Sequence, residues 1–173
     1  SILYLAVTGE ELGLLGSQYY AENPLIPLNQ VIFNLNIDNG GYNSTEHISI
    51  VGHGRTGTDE LLQKGIEALG LKVFPNPAPE QNLFDRSDNV SFAAKGIPAL
   101  CFSLGVTAFD DEVAKYYHQV TDNPDTIDYD YFLKYCQSFA YTTRLIADAP
   151  GKPRWVKGDK YEKAGKALYG LGE

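Results

Sequence analysis

The sequence has only two cysteines, few basic residues and no long apolar run, and each of these shortages excludes a class of protein. Cys101 and Cys136 are too few for a disulfide framework or a cysteine-based zinc site. The chain has 14 lysine and arginine residues and 22 acidic residues, which gives a formal net charge of −8. Because nucleic acids and anionic membranes attract basic proteins, we do not expect either as a partner. The longest apolar runs, 2–7 and 98–102, are far shorter than the ~20 residues of a membrane-spanning helix.

The amino-terminal end lacks two features that would mark the start of a gene product. It has no methionine and no recognisable secretory signal, and it opens directly on the strand-like run 1–7. A domain rarely begins inside its own core strand. We therefore expect the chain to be a piece of a longer protein.

The remaining composition is that of a globular α/β domain, with 43% hydrophobic and 12% aromatic residues in 173. Apolar runs alternate with segments of helical periodicity, and loops at 75–88 and 105–126 separate them. We predict a three-layer α/β/α sandwich with a mixed, mainly parallel sheet. The predicted strands are 2–7, 31–37, 47–51 and 98–103, and the predicted helices are 12–22, 58–69, 89–95 and 129–147.

The charge distribution divides the chain in two. Residues 151–173 carry six basic and three acidic side chains, a local charge of +3, whereas the preceding residues carry 8 − 19 = −11. We interpret 1–150 as part of one domain and 151–173 as a basic C-terminal tail or helix that packs on the same domain, with a solvated charged face.

Polar residues follow three of the predicted strands. Glu10 and Glu11 follow the first strand, Asp38 follows the second, and His118 lies in the long loop after the last. In open α/β sheets, ligands bind beyond the carboxyl ends of the strands. These four residues are therefore the candidates for chemistry, whereas the other two histidines, His47 and His53, are interpreted as structural.

Each candidate also has a purely structural explanation. Thr8 and Glu11 fit a capping box at the start of a helix, and Asp38 precedes a turn formed by Asn39 and Gly40. His118 could be an ordinary loop histidine.

Taken together, these candidate residues indicate a metal site. Two carboxylates and an imidazole at one edge of a sheet suit a catalytic zinc ion with an open position for water. Glu11, Asp38 and His118 would be the ligands, and Glu10 would be the base that takes a proton from the water.

Five segments resemble peptidase family M28, a family of zinc aminopeptidases, over about residues 1–155. They occur in the order 5–17 (LAVTGEELGLLGS), 34–38 (NLNID), 86–88 (RSD), 96–100 (GIPAL) and 117–122 (YHQVTD). The resemblance implies a pair of zinc ions and a peptide substrate with a free N-terminus. It also implies export of the full-length protein to the periplasm or the medium.

The resemblance also implies a role for each matching residue. Glu10 corresponds to the general base, Glu11 and His118 to ligands of one zinc ion, and Asp38 to a ligand of the other. The residues that correspond to substrate-binding positions are Asp88, Asn89 and Tyr117.

Three departures from the family pattern are visible. The family also uses a histidine and a bridging aspartate upstream of its Glu-Glu motif, and nothing before Ser1 supplies them in this chain. Asn89 replaces a histidine in the Ser-Asp-His motif, and Phe84 stands where some relatives have a tyrosine hydroxyl. We therefore expect one zinc ion or none, and little or no activity, from this chain alone.

Two alternatives stay open: a single-zinc glutaminyl cyclase on the same fold, and a non-catalytic binding module. Ser87 and Asp88, moreover, could simply cap the helix that follows them.

Overall fold

The sheet is organised around one buried strand. In this computed structural model, which describes residues 1–172, the strand at 99–105 lies between two others, and its side chains alternate between two cores. The strands are β1 (Asn34–Asn36), β2 (Ser44–Val51), β3 (Lys72–Pro75) and β4 (Ala99–Gly105). The helices are α1 (Leu15–Glu22), α2 (Asp59–Glu67), α3 (Asn89–Ala94), α4 (Asp111–Ala114), α5 (Tyr129–Asp148) and α6 (Glu162–Leu168). Short 3₁₀ turns form at Leu28–Gln30, Pro79–Gln81, Leu83–Arg86 and Pro124–Thr126.

The strand order is β1-β4-β2-β3. β1 runs parallel to β4 and β3 runs parallel to β2, whereas β2 and β4 are antiparallel. The carboxyl ends of β1 and β4 therefore lie at the same edge of the sheet. This confirms the predicted α/β class with a mixed, mainly parallel sheet, and it places Asp38 near the loop that follows β4.

Helices cover both faces of the sheet. On one face, Leu100 and Phe102 of β4 pack against α2 and α5, and Tyr135 of α5 is buried there. On the other face, Ala99 and Cys101 pack against α3 and the C-terminal residues. Because successive side chains of a strand point to opposite faces, one apolar strand supplies both cores.

The predicted strand 2–7 is wrong. Residues 2–7 lie in the described part of the chain, yet no strand forms there, and Leu3 and Tyr4 are 52% and 84% exposed. A strand requires a hydrogen-bonding partner, which an apolar run does not by itself provide.

Other element predictions need correction, and the strand predicted over 47–51 begins three residues earlier, at Ser44. The helix predicted from residue 12 begins at Leu15, and the strand predicted over 31–37 is confined to Asn34–Asn36. The strand β3 (Lys72–Pro75) is not predicted by the sequence pattern, because it is only four residues long and ends in a proline. The helices predicted over 58–69, 89–95 and 129–147 are confirmed within one or two residues.

The C-terminal residues contact the body of the domain at several points. Trp155 is buried and donates its indole N–H to the carbonyl of Gly96 at 3.1 Å. The backbone N–H of Val156 donates to the carbonyl of Arg55 at 2.9 Å. Arg55 in turn forms a two-point ion pair with Asp159, at 2.7 and 3.1 Å.

Within residues 1–172, no helix is both long enough and apolar enough to cross a membrane.

Candidate active site

The segment between residues 8 and 14 forms a tight turn that holds the two adjacent glutamates. Gly9, Gly13 and Leu14 have positive φ angles of 71°, 102° and 61°, which delay the start of α1 until Leu15. The N-cap of α1 is therefore Leu14, without a side-chain capping bond. The capping box proposed for Thr8 is wrong, so helix capping does not explain the acidic pair.

Gly16 allows this turn to pack closely against α1. A Cβ atom at Gly16 would lie 2.5 Å from the carbonyl oxygen of Thr8 and 2.6 Å from its nitrogen. The backbone N–H of Gly16 also donates to the Thr8 carbonyl at 2.8 Å. The glycine thus fixes the position of the turn that carries Glu10 and Glu11.

Glu11 and His118 meet across the site. Nε2 of His118 lies 3.0 Å from Oε1 of Glu11, and the two side chains are 50% and 71% exposed. His118 has a φ of 57°, a left-handed conformation that is rare outside glycine and concentrates at functional sites. The structure therefore brings together two of the residues that the sequence predicts to be metal ligands.

Tyr117 fixes the orientation of the His118 ring. The two rings are stacked with centroids 4.1 Å apart and an interplanar angle of 15°. Phe109 packs edge-on against Tyr117, with the ring centroids 4.9 Å apart. Arg86 donates a long hydrogen bond of 3.3 Å to the hydroxyl of Tyr117. Burial raises the pKa of the Tyr117 phenol, which stays protonated at neutral pH.

Asp38 is held at the end of β1 by its neighbours. Its Oδ2 accepts a 2.6 Å hydrogen bond from the hydroxyl of Ser87, and Ser87 accepts one of 2.9 Å from the amide of Asn36. Its backbone carbonyl accepts from Ser103 at 2.9 Å. Because α3 has no side-chain capping bond, the explanation of Ser87 as a helix cap is wrong.

Asp88 and Asn89 differ from each other in their surroundings. Oδ1 of Asp88 is buried and has no hydrogen-bond partner within residues 1–172. Burial raises the pKa of this carboxyl, a hydrogen bond with Ser17 lowers it, and the charge of Asp38 raises it. Asn89 has no exposed surface and donates its amide to the carbonyl of Phe84 at 2.9 Å.

The carboxyl of Glu10 lies among other acidic side chains, and its pKa is raised. Partial burial is the largest cause. The negative charges of Asp38, Glu11 and Asp88 raise the pKa further, and His118 lowers it. This concentration of negative charge would be relieved by a cation or by the ammonium group of a ligand.

Glu11 and His118 carry donor atoms of the type that a zinc ion needs. Their 3.0 Å separation is near the ~3.3 Å between two ligands at ~2.0 Å from a tetrahedral ion. Among residues 1–172, however, no group of three or more His, Cys, Asp or Glu side chains could hold an ion. The two residues are therefore donors of the right type for zinc, but within the described part of the chain Asp38 does not join them in a three-ligand group.

Several residues around the site are not predicted as parts of it. Asn39 accepts from the backbone N–H of Leu104 at 2.7 Å and donates to the hydroxyl of Tyr135 at 3.1 Å. Ser103 bonds to Asp38, and Asn36 bonds to Ser87. The signal that could have found Asn36 is a polar residue inside an otherwise apolar strand, since buried amides need partners.

Comparisons with known proteins agree with this fold. The model of a protein family described as peptidase family M28 matches residues 1–143. An aminopeptidase from Aneurinibacillus sp. strain AM-1 has a similar structure, with a TM-score of 0.58 and 23% sequence identity. The match covers 84% of this chain and 33% of that one, so this chain spans about a third of the length of that aminopeptidase. No curated protein matches significantly.

Proposed function

This chain belongs to peptidase family M28, and on that premise we propose that it carries part of the active site of a zinc-dependent aminopeptidase. The family match over residues 1–143 includes every candidate site residue. The observation that carries the proposal is the meeting of Glu11 with His118, 3.0 Å apart, next to the raised-pKa carboxyl of Glu10.

In this proposal Glu11 and His118 hold one metal ion, and Asp38 contributes to a second. A bound zinc ion would polarise the carbonyl of the scissile peptide bond and lower the pKa of a water molecule. Ser87 orients the Asp38 carboxylate through its 2.6 Å hydrogen bond, and stacking on Tyr117 orients the imidazole of His118. The orientations of Asp38 and His118 are thus each set by a neighbouring side chain.

Glu10 is the proposed general base. It takes a proton from the attacking water and delivers it to the amine that leaves when the C–N bond breaks, so that water and peptide become an acid and an amine. A carboxyl whose pKa is raised by burial and by neighbouring carboxylates is suited to this exchange, because its pKa lies closer to the working pH.

The substrate is proposed to be a peptide with a free N-terminus. Its ammonium group would be attracted by the negative charge of the site, to which Asp88 contributes with a buried Oδ1 that has no hydrogen-bond partner among residues 1–172. Tyr117 would line the substrate side of His118. Asn89 would act indirectly, because its side chain is buried and supports the turn at Phe84.

We expect this chain alone to be weakly active or inactive, because a zinc site needs about four ligands and only Glu11 and His118 converge among the described residues. The first test is zinc binding by calorimetry. Glu11→Ala and His118→Ala should each weaken binding at least tenfold. His53→Ala removes a histidine paired with Asp59 at 3.4 Å, and it should have no effect. Equal affinities in all four proteins would contradict the assignment.

The second test is the reaction product of the full-length protein. Release of a free N-terminal amino acid from a peptide, lost in Glu10→Gln with zinc retained, supports the aminopeptidase. Conversion of an N-terminal glutamine to pyroglutamate with release of ammonia would indicate a glutaminyl cyclase instead. Peptide binding without any product would indicate a binding module. Export of the full-length protein, which the family resemblance implies, is a further proposal that cell fractionation tests.

A further inference from the structure

The C-terminal residues lie outside the family match, which ends at 143, yet they are joined to the candidate site by a continuous set of contacts. Three side chains of this segment surround the 3₁₀ turn Leu83–Arg86. The turn immediately precedes Ser87 and Asp88. The contacts therefore lead from the tail to the residues that hold Asp38.

Asp85, in this turn, is hydrogen-bonded to two residues of the C-terminal tail. Its Oδ1 accepts a 3.0 Å hydrogen bond from the hydroxyl of Tyr161, and its Oδ2 accepts one of 2.8 Å from the ammonium group of Lys160. Asn82 also donates to Oδ2 at 3.2 Å. Both oxygens of one carboxylate are thus occupied, two of the three bonds coming from the tail.

Aromatic packing holds the neighbouring residue of the turn. Phe84 is buried against Trp155 and Tyr161, with centroid distances of 6.2 and 6.0 Å. The guanidinium of Arg55 lies 3.9 Å from the centre of the Phe84 ring while it pairs with Asp159. A cation on an aromatic face adds directional stabilisation to the burial.

The position of the turn Leu83–Arg86 determines the position of Ser87, because the two are joined by the backbone and by one further hydrogen bond. Asn89 donates to the carbonyl of Phe84 at 2.9 Å, which closes the segment 84–89 on itself. Ser87 lies inside that segment and donates to Asp38 at 2.6 Å. A 2.6 Å bond is sensitive to small displacements of its donor, so the placement of the turn sets the Ser87–Asp38 bond.

We propose that the C-terminal segment 154–161 positions the active site, with Tyr161 and Lys160 holding Asp85 so that Ser87 meets Asp38. This proposal rests on the proposed function in one respect, namely that Asp38 belongs to the active site. Tyr161 and Lys160 are positioning residues, since neither contacts the site carboxylates. The family domain would then depend on a segment that the family model does not include.

The test is a double-mutant cycle on this chain. Tyr161→Phe removes the hydroxyl that bonds to Asp85 and keeps the ring, and Ser87→Ala removes the bond to Asp38. The control is Tyr169→Phe, because the Tyr169 hydroxyl donates to the carbonyl of Val31 at 2.6 Å and does not contact the turn. Urea unfolding gives the factor by which Ser87→Ala raises the unfolding equilibrium constant in each background.

If the proposal holds, that factor is smaller by about two- to fivefold in the Tyr161→Phe background and unchanged in the Tyr169→Phe background. A purely structural role would lower the stability of Tyr161→Phe without changing the effect of Ser87→Ala. An unchanged factor in both backgrounds would overturn the proposal. Neither result depends on peptide hydrolysis or zinc, so failure of the proposed function would be seen separately.

A second measurement serves if the double variant does not fold. The thiol of Cys101 is buried and lies 3.8 Å from the carbonyl oxygen of Asp38, whereas Cys136 is exposed and provides an internal reference. Tyr161→Phe should accelerate modification of Cys101 relative to Cys136 by about threefold or more beyond the effect of its global stability, through local opening. Equal acceleration in Tyr161→Phe and Tyr169→Phe at matched stability would overturn the proposal.

Discussion

The hydroxyl of Ser87 donates a 2.6 Å hydrogen bond to Oδ2 of Asp38, and this bond joins the turn before α3 to the end of β1. The same hydroxyl accepts from Asn36. Asp38 is thereby anchored through one of its two carboxylate oxygens. Ser87 therefore links β1 to the turn before α3 through two side-chain hydrogen bonds.

Ser87→Ala should destabilise the fold by about 1–2 kcal/mol, because it removes a hydrogen bond to a charged group. Ser91→Ala is a matched control, since Ser91 has the same 7% exposure and its hydroxyl is paired with the neutral hydroxyl of Ser17 at 2.8 Å. The control should lose less, about 0.5–1 kcal/mol. Urea unfolding at pH 7 measures both, and a larger loss in Ser91→Ala would contradict the assigned role.

Glu11→Gln should leave the stability of the fold nearly unchanged, within about 0.5 kcal/mol, because the pair with His118 is exposed and screened by water. Glu46→Gln provides the comparison, since Glu46 pairs with Lys72 at 3.0 Å on the surface and neither residue has a candidate role. Only Glu11→Gln should also weaken zinc binding. Thermal unfolding and zinc calorimetry on the two variants separate a ligand from an ordinary surface pair.

Glu10→Gln should stabilise the fold at neutral pH. The pKa of Glu10 is raised on folding, so the folded state holds its proton more tightly, and the stability falls as the pH rises through the unfolded and then the folded pKa. The gain in Glu10→Gln should be about 0.5 kcal/mol at pH 7, because the carboxyl is only partly buried, and it should vanish near pH 3. Unfolding measured at both pH values checks the sign. A variant less stable than the parent at pH 7 would contradict it.

Gly16→Ala should destabilise the fold by about 1–3 kcal/mol, although alanine normally favours a helix over glycine. The added methyl group would lie 2.5 Å from the carbonyl oxygen of Thr8, and the backbone atoms on both sides cannot move aside cheaply. Gly151→Ala is the control, because a methyl group added there would meet nothing within 4 Å, and it should be neutral. Chemical denaturation of the two variants tests the close approach.

Much of the fold could be predicted because its helices and its central strand carry strong local signals. The periodicity of 129–147 and the apolar run at 98–103 both correspond to real elements, α5 and β4. The run 2–7 carries an equally strong signal but forms no strand, because strand formation depends on a neighbour that the run does not encode. Local pattern therefore predicts what is local and fails where a distant partner is required.

The candidate site also has features that the sequence predicts and features that it does not. The sequence predicts the meeting of Glu11 with His118 from two strands that end at one edge, and the pairing is present at 3.0 Å although the first of those strands does not form. The separate setting of Asp38 could not be expected, because it depends on the Ser87 hydroxyl, for which the sequence pattern offers a helix cap as one alternative. The roles of Glu11, Asp38 and His118 as metal ligands stay predictions, as do those of Glu10, Asp88, Asn89 and Tyr117.

The contacts of the C-terminal segment also bear on the order in which the molecule can be completed. Trp155 and Tyr161 leave the ribosome after all the residues that they cover, including Phe84 and Gly96. Until they arrive, the aromatic face of the turn has no cover and Asp85 has neither of its two tail partners. The nascent domain therefore passes through a stage in which the ring of Phe84 and the carboxylate of Asp85 lack the partners that cover them in the completed fold.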